Sequence, residues 1–368
     1  MKLSKYLYII LTFLLVSESK ATIRTLNNNN PSPGQYTTWA AVQAACGFND
    51  TVLVSGSPVS YGNITINVFG LALIGTGHNP QKQNPLVSSF DTIVFTVGTV
   101  SFDGIKAQLI RQSNPFGATS VSIQNCMTVI DIQGAVYDAY YTLRNNILYQ
   151  YKSDVAIRAT FNDTYSTPAL ICDARNNIIF GSILLIGIIY NVDSALMKNS
   201  NFSNNVFMRR GDGQGGINGT SYNELFVGDI GFSNFVFNNN IVNNYNGFHL
   251  GSTFSNTACL NNCVRYGGVL FTSFPNDNAT TFGNVLAFAN FCPSLCAFSY
   301  AQDYHLEPTS PLINAGSDGT DIGVYGGPYG SLFSMYGEPS IPQIKQMNTP
   351  SSVVSGNSFN VNITTTIK

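Results

Sequence analysis

Ionisable residues are sparse in this chain, at 10% of the total, so the few that fall close together are where chemistry would reside. Asp173 stands two positions before Arg175, which in an extended strand puts both side chains on one face. Arg144 holds the same place as Arg175, directly before a pair of asparagines. Two guanidiniums and a carboxylate could grip the acid group of an anionic sugar or take a proton beside it. The plainer reading of Arg144, Asp173 and Arg175 is a surface ion pair worth under about 1 kcal/mol. A second set is the ligand-binding candidate Arg209, Arg210 and Asp212, in the glycine-rich run Arg209-Arg210-Gly211-Asp212-Gly213-Gln214-Gly215-Gly216. There the backbone and the guanidiniums could come close to an anionic ligand. The run occurs once, whereas calcium-binding glycine/aspartate repeats come in tandem. Asp318 and Asp321 sit in another glycine-rich stretch that reads as a tight turn. His78, His249 and His305 show no ligand spacing with the cysteines, so no metal site is expected.

Composition narrows the class. The net charge is −2, which offers no electrostatic footprint for nucleic acid or an anionic membrane. Asn, Gly, Ser and Thr take the place of the missing charges, which suits stacked β-structure better than surface helices rich in Glu and Lys. Lys2 and Lys5 precede an apolar run, Leu7 to Val16, followed by Ser19-Lys20-Ala21. That is the pattern of a secretory signal peptide over residues 1–21, and the run is short for a membrane span, which takes about 20 apolar residues. The expectation is an exported protein, secreted or at a cell surface, without membrane insertion.

What must position the charged residues is a repeat. Asparagine pairs followed by apolar residues begin at Asn145, Asn176, Asn204, Asn239 and Asn261, as in Arg175-Asn176-Asn177-Ile178-Ile179, with a weaker copy at Asn284. Such intervals signal a solenoid or a propeller. Short β-branched runs such as Val52-Leu53-Val54 and Ile93-Val94-Phe95, bounded by Gly, Asn and Ser, predict strands. Irregular spacing favours a coil of strands, whose corners absorb insertions as loops. Asn tolerates the left-handed conformation of a sharp corner, and stacked amides about 4.8 Å apart can bond along a ladder.

The remaining segments fit this frame. Thr37 or Thr38 can cap a helix over residues 39–46 whose Trp39, Val42 and Cys46 share one face and plug the first coil. Seven cysteines in an exported chain invite disulfides, and Cys259/Cys263 and Cys292/Cys296 are spaced as pairs. Cys126 and Cys263 read instead as small buried hydrophobes in a slot held elsewhere by Ile or Val. Tyrosines such as Tyr137, Tyr140, Tyr141, Tyr149, Tyr151, Tyr190 and Tyr245 would suit a saccharide surface, though Tyr is also a favoured strand residue. Asp303 to Gly327, with Ser310-Pro311-Leu312-Ile313-Asn314-Ala315-Gly316, reads as the closing coil. Residues 338–368 read as a linker followed by one half-buried strand over 358–367.

With these residues in view, the chain resembles the secreted right-handed parallel β-helix, or pectin-lyase-like, proteins. The helix with Asp50-Thr51-Val52-Leu53-Val54 looks like their N-terminal cap, and the Asn-Asn-Ile segments look like their middle coils. The resemblance implies an all-β, single-stranded right-handed parallel β-helix with a short capping helix over residues 22–337, about eleven coils and roughly 50 Å long at about 4.8 Å per coil. It also implies a polysaccharide or cell-surface glycan as partner. Catalytic motifs do not carry over: Tyr61 is followed by Gly62-Asn63 rather than by the acid of an esterase, and Ile178-Ile179-Phe180-Gly181 lacks the nucleophile. The hydrolase motifs of the group are absent too. The leading expectation is a carbohydrate-facing or surface-associated β-helix with no recognisable catalytic set. The alternative is a lyase or glycoside hydrolase acting on an acidic glycan, and only a lyase would bring in Ca2+.

Overall fold

The computed structural model describes residues 21–29, 34–82, 85–113, 119–149, 155–161, 168–187, 195–208, 225–228, 230–243, 252–265, 280–281, 298–339, 341–348 and 362–366. The chain winds as a parallel β-helix. Eleven strands stack in a first sheet, from Ile23–Leu26 through Thr51–Val54, Leu71–Ile74, Thr99–Asp103, Thr119–Gln124, Ala139–Arg144 and Ala169–Arg175 to Ile230–Asn238 and Thr253–Leu260. Ala195–Lys198 and Asn201–Ser203 share one rung, since both pair with Ala169–Arg175 and with Ile230–Asn238. The intervening strands form two further columns. A second face stacks Met127–Thr128, Ile147–Leu148, Ile178–Phe180, Val206–Met208, Ile241–Asn243 and Cys263–Arg265. A third stacks Ile130–Ala135, Val155–Phe161, Ser182–Gly187 and Phe226–Val227. Lys106–Gln112 joins the two, pairing with strands of both.

Inside the coil, like residues lie over like. In the first sheet one column runs Leu73, Phe102, Ile123, Leu143, Ala174, Phe202, Phe237 and Cys259, rung by rung and all buried. Each fully buried Leu, Ile or Phe of the column contributes roughly 1.5–3 kcal/mol. Later coils fill the bore with rings: Phe226 meets Phe202, Phe232 and Phe235 edge-on at 5.4–5.8 Å, a favoured geometry for the ring quadrupole.

The asparagine pairs divide their labour. The first member takes the left-handed conformation at the corner, with φ between 51° and 57° at Asn125, Asn145, Asn176, Asn204, Asn239 and Asn261. The second member is buried and builds the ladder. Nδ2 donates to the next Oδ1 from Asn146 to Asn177 at 3.0 Å, Asn177 to Asn205 at 3.0 Å, Asn205 to Asn240 at 3.1 Å and Asn240 to Asn262 at 3.1 Å. Each Oδ1 also accepts the backbone N–H of the preceding coil. Cys126 holds the ladder position at the head of the column, its N–H donating to Asn146 Oδ1 at 2.9 Å. It therefore stands in an asparagine slot and not in the Ile/Val slot expected from the sequence; Met127, paired with Ile147, takes that slot. Cys263 does occupy it, in register with Ile241. A second, exposed ladder links Asn199, Asn234 and Asn256, each at positive φ.

Two terminal expectations change. The helix spans Trp39–Ala45 with Thr38 as its cap, and Val42 is fully buried against the core. Yet Ile23–Leu26 precedes it as the first strand, in register with Thr51–Val54. Near the other end Gln343–Asn348 and Asn362–Thr366 pair as an antiparallel two-stranded sheet where a linker and one strand were expected.

Residues 298–339 are not a further coil. They carry one 3-10 turn, Gly330–Leu332, and no strand, and they run out and back along the solenoid. Tyr300 reaches the early coils, where its hydroxyl donates to the His78 carbonyl at 2.9 Å. By Ala315 the segment is at the far end, its carbonyl accepting from Asn261 Nδ2 at 3.0 Å. It then descends the corner column. Gly323 N donates to Asn239 O at 2.9 Å, Asn204 Nδ2 donates to Asp321 O at 3.3 Å, and Asn176 Nδ2 donates to Val324 O and Gly326 O at 2.8 and 2.6 Å. Tyr336 O finally accepts His78 N at 3.2 Å. The reason is an apolar column that would otherwise face water. Adjacent residues of a strand point to opposite faces, so while Leu148, Ile179, Phe207 and Val242 point inward, Ile178, Val206, Ile241 and Cys263 point out. Tyr304, Leu312, Ile322, Val324 and Phe333 of the strap bury that second core.

Candidate functional site

Arg144, Asp173 and Arg175 meet on the outer side of the first sheet. Register places Arg144 over Arg175 and Thr142 over Asp173. The Asp173 carboxylate accepts from Arg144 Nη2 through one oxygen and from Arg175 Nε through the other, the latter at 2.7 Å. Arg144 also donates to the Asp173 carbonyl at 2.7 Å, and Tyr329 of the strap lies 4.8 Å from its guanidinium carbon, a cation–π contact. The two arginines therefore differ in availability. Arg144 is clamped, with its side chain only 10% exposed, whereas Arg175 keeps 30% exposure and terminal amino groups with no acceptor among the described residues.

Around Arg175 the outward residues are mostly hydroxyls and amides. One outward row runs Thr51, Ala72, Ser101, Ser122, Thr142, Asp173 and Asn201. The next holds Asp103, Gln124, Arg144, Arg175 and Ser203, and a third holds Thr99, Ser120, Tyr140 and Ile171. Tyr140 is exposed and lies about 13 Å along the strand from Arg144, on the same side.

A comparable cluster, unforeseen from the sequence, lies on the third face. The Asp131 carboxylate accepts from Arg158 Nε at 2.7 Å and Nη2 at 2.6 Å, from Arg111 Nε at 2.8 Å and from Gln133 Nε2 at 2.9 Å. Its side chain is 2% exposed. Burial would raise its pKa, yet the hydrogen bonds and charges of Arg158 and Arg111 outweigh that and hold it below the usual carboxylate value. The signal was present: Arg111, Asp131 and Arg158 are successive occupants of one position in coils of unequal length.

Arg209, Arg210 and Asp212 lie outside the described residues, as do Cys292, Cys296 and the predicted leader up to Lys20. Cys126 and Cys172 are buried thiols whose pKa burial pushes well up, which leaves them unreactive. Among the described residues no three His, Cys, Asp or Glu side chains gather into a set able to hold a metal ion. Asp318 accepts from Thr320 N at 3.0 Å and Asp321 from Asn314 N at 2.9 Å, so both tie down turns of the strap. The fold defines the class: a parallel β-helix solenoid with, among the described residues, one short N-terminal α-helix. Comparison with protein-family models, curated proteins and solved structures yields no match for this chain.

Proposed function

We propose that this protein is an exported, pectin-lyase-like β-helix that binds an acidic polysaccharide on the outer face of its first sheet without cleaving it. The observation that carries this reading is Arg175: a guanidinium oriented by Asp173, with unused donors, set in rows of Ser, Thr and Asn. Hydroxyl and amide rows suit the hydroxyls of a sugar polymer, and Arg175 suits its carboxylates through paired N–H donors. Tyr140 adds an exposed aromatic face.

Cleavage is the weaker reading, although three charged groups do converge. A base must be free to take a proton from substrate. Arg144 lies under Tyr329, and both oxygens of Asp173 are engaged by guanidiniums.

The test is binding to immobilised polygalacturonate at low ionic strength, with neutral dextran as control. Arg175→Gln is expected to weaken binding roughly ten-fold, the loss of one charge-assisted contact of about 1.4 kcal/mol. Salt should weaken the wild type more than the variant. Unchanged binding by Arg175→Gln, or none by the wild type to any acidic glycan, overturns the proposal. Release of unsaturated uronates with calcium present would make the protein a lyase instead.

A further inference from the structure

Building on that reading, we propose that Arg111 and Arg158, held around Asp131, form a second anion-binding site on the third face, so that one molecule bridges two acidic polysaccharide chains. One bidentate arginine satisfies a carboxylate, and Arg158 already supplies it through Nε and Nη2. Arg111 adds a second positive charge through Nε alone. Its terminal amino groups have no acceptor among the described residues, and both arginine side chains keep about a third of their surface exposed. The column offers no further carboxylate: Val94 precedes Arg111 and Leu184 follows Arg158. The cluster thus carries one net positive charge between apolar neighbours, the same two-to-one ratio found at Asp173.

The placement makes the pair bivalent. The coil from Ala139 to Phe161 contributes Arg144 to one cluster and Arg158 to the other. Between them lies the second face with residues 298–339 packed over it. A straight chain laid on the first sheet does not reach Arg111 and Arg158. Two chains held by one rigid body are joined at high effective concentration, which converts weak single contacts into a network.

The experiment titrates the full chain into polygalacturonate at low ionic strength and follows turbidity and binding stoichiometry. The wild type is expected to give a turbidity maximum at intermediate protein-to-polymer ratio and about two chain-binding sites per molecule. Arg111→Gln leaves the bidentate Arg158–Asp131 pair intact, so the variant should stay folded, its unfolding temperature lowered only by the few degrees that one lost charge-assisted hydrogen bond to Asp131 is worth. It is expected to keep binding but lose turbidity and fall to about one site. At protein concentrations where the ten-fold weaker first-sheet site stays empty, Arg175→Gln should likewise fall to about one site and lose turbidity, and the double variant should occupy neither site. Wild-type turbidity in Arg111→Gln, or a single site in the wild type, overturns the bridging proposal. If Arg111→Gln removes all binding while Arg175→Gln removes none, the first-sheet reading fails and the third-face site stands alone, without bridging.

Discussion

Asn177→Ala is expected to destabilise the protein by about 4 kcal/mol, whereas Asn145→Gly stays within about 1 kcal/mol of the wild type. Asn177 is fully buried. Its Oδ1 accepts from the backbone N and the Nδ2 of Asn146, and its Nδ2 donates to Leu143 O, Arg175 O and Asn205 Oδ1. Truncation leaves the Asn146 N–H without an acceptor inside the fold, at about 1–3 kcal/mol, and opens a void beside it. The neighbouring carbonyls keep other partners; Arg175 O, for one, still accepts Asn145 N. Asn145 does a different job. It holds φ at 56°, and its buried Oδ1 has no partner among the described residues. Glycine keeps that backbone conformation without strain and removes the unpaired oxygen. Urea midpoints at unchanged m-value would check both. Equal losses at 145 and 177 would contradict the division between corner and ladder asparagines.

The second large effect concerns the strap. A Cβ on Gly326 would stand 1.7 Å from the Asp321 carbonyl oxygen and 2.9 Å from Asn204 Nδ2. Backbone cannot yield as a side-chain tip does, so Gly326→Ala is expected to cost about 3 kcal/mol, toward the upper end for overpacking. In a chain of 368 residues that lowers the melting temperature by roughly 4 °C. Gly319→Ala serves as the control. It lies in the same segment at φ 77°, with nothing within 4 Å of an added Cβ, and should cost only the conformational term of about 1–2 kcal/mol. The two melting curves, recorded by circular dichroism, separate packing of the strap from local backbone preference. A Gly326→Ala protein as stable as wild type would mean that the strap does not fold back at Asp321–Gly326 as described.

The coil was legible in the sequence because stacking makes chemistry periodic. Asn145, Asn176 and Asn204 fall in one column, and strands such as Thr51–Val54 and Leu71–Ile74 stand where β-branched runs predicted them. The sequence treats each asparagine pair as a unit, however, and only the geometry assigns the bend to the first and the ladder to the second. Cys126 was misplaced for that reason: it stands in the second position, where the ladder needs only its backbone N–H as donor.

The strap left a signal of a different kind. Ile178-Ile179 and Val206-Phe207 are adjacent apolar residues in parallel strands, and one of each pair must face outward. An outward apolar column demands a cover, and the motif-like stretch from Asp303 to Gly327 supplies it. Its resemblance to a closing coil came from glycines and turns, which serve a strap equally well. The candidate site was half legible. Asp173 and Arg175 lie two apart on one strand, and Arg144 shares the Arg175 slot one coil earlier. Tyr329, which immobilises Arg144, comes from a segment whose path no local pattern encodes. Arg111, Asp131 and Arg158 were hidden because their coils differ in length and the first lacks an asparagine pair.

The whole architecture turns on whether residues 298–339 lie lengthwise on the solenoid or add a rung at its end. A photo-activated benzoyl-phenylalanine at position 336, where the native Tyr336 is exposed, reads this directly when adducts are mapped by mass spectrometry. The lengthwise path predicts adducts at residues 77–79, because Tyr336 O accepts His78 N and Gly77 packs against the same carbonyl. Adducts confined to the last described coil, around Thr253–Leu260, would contradict it.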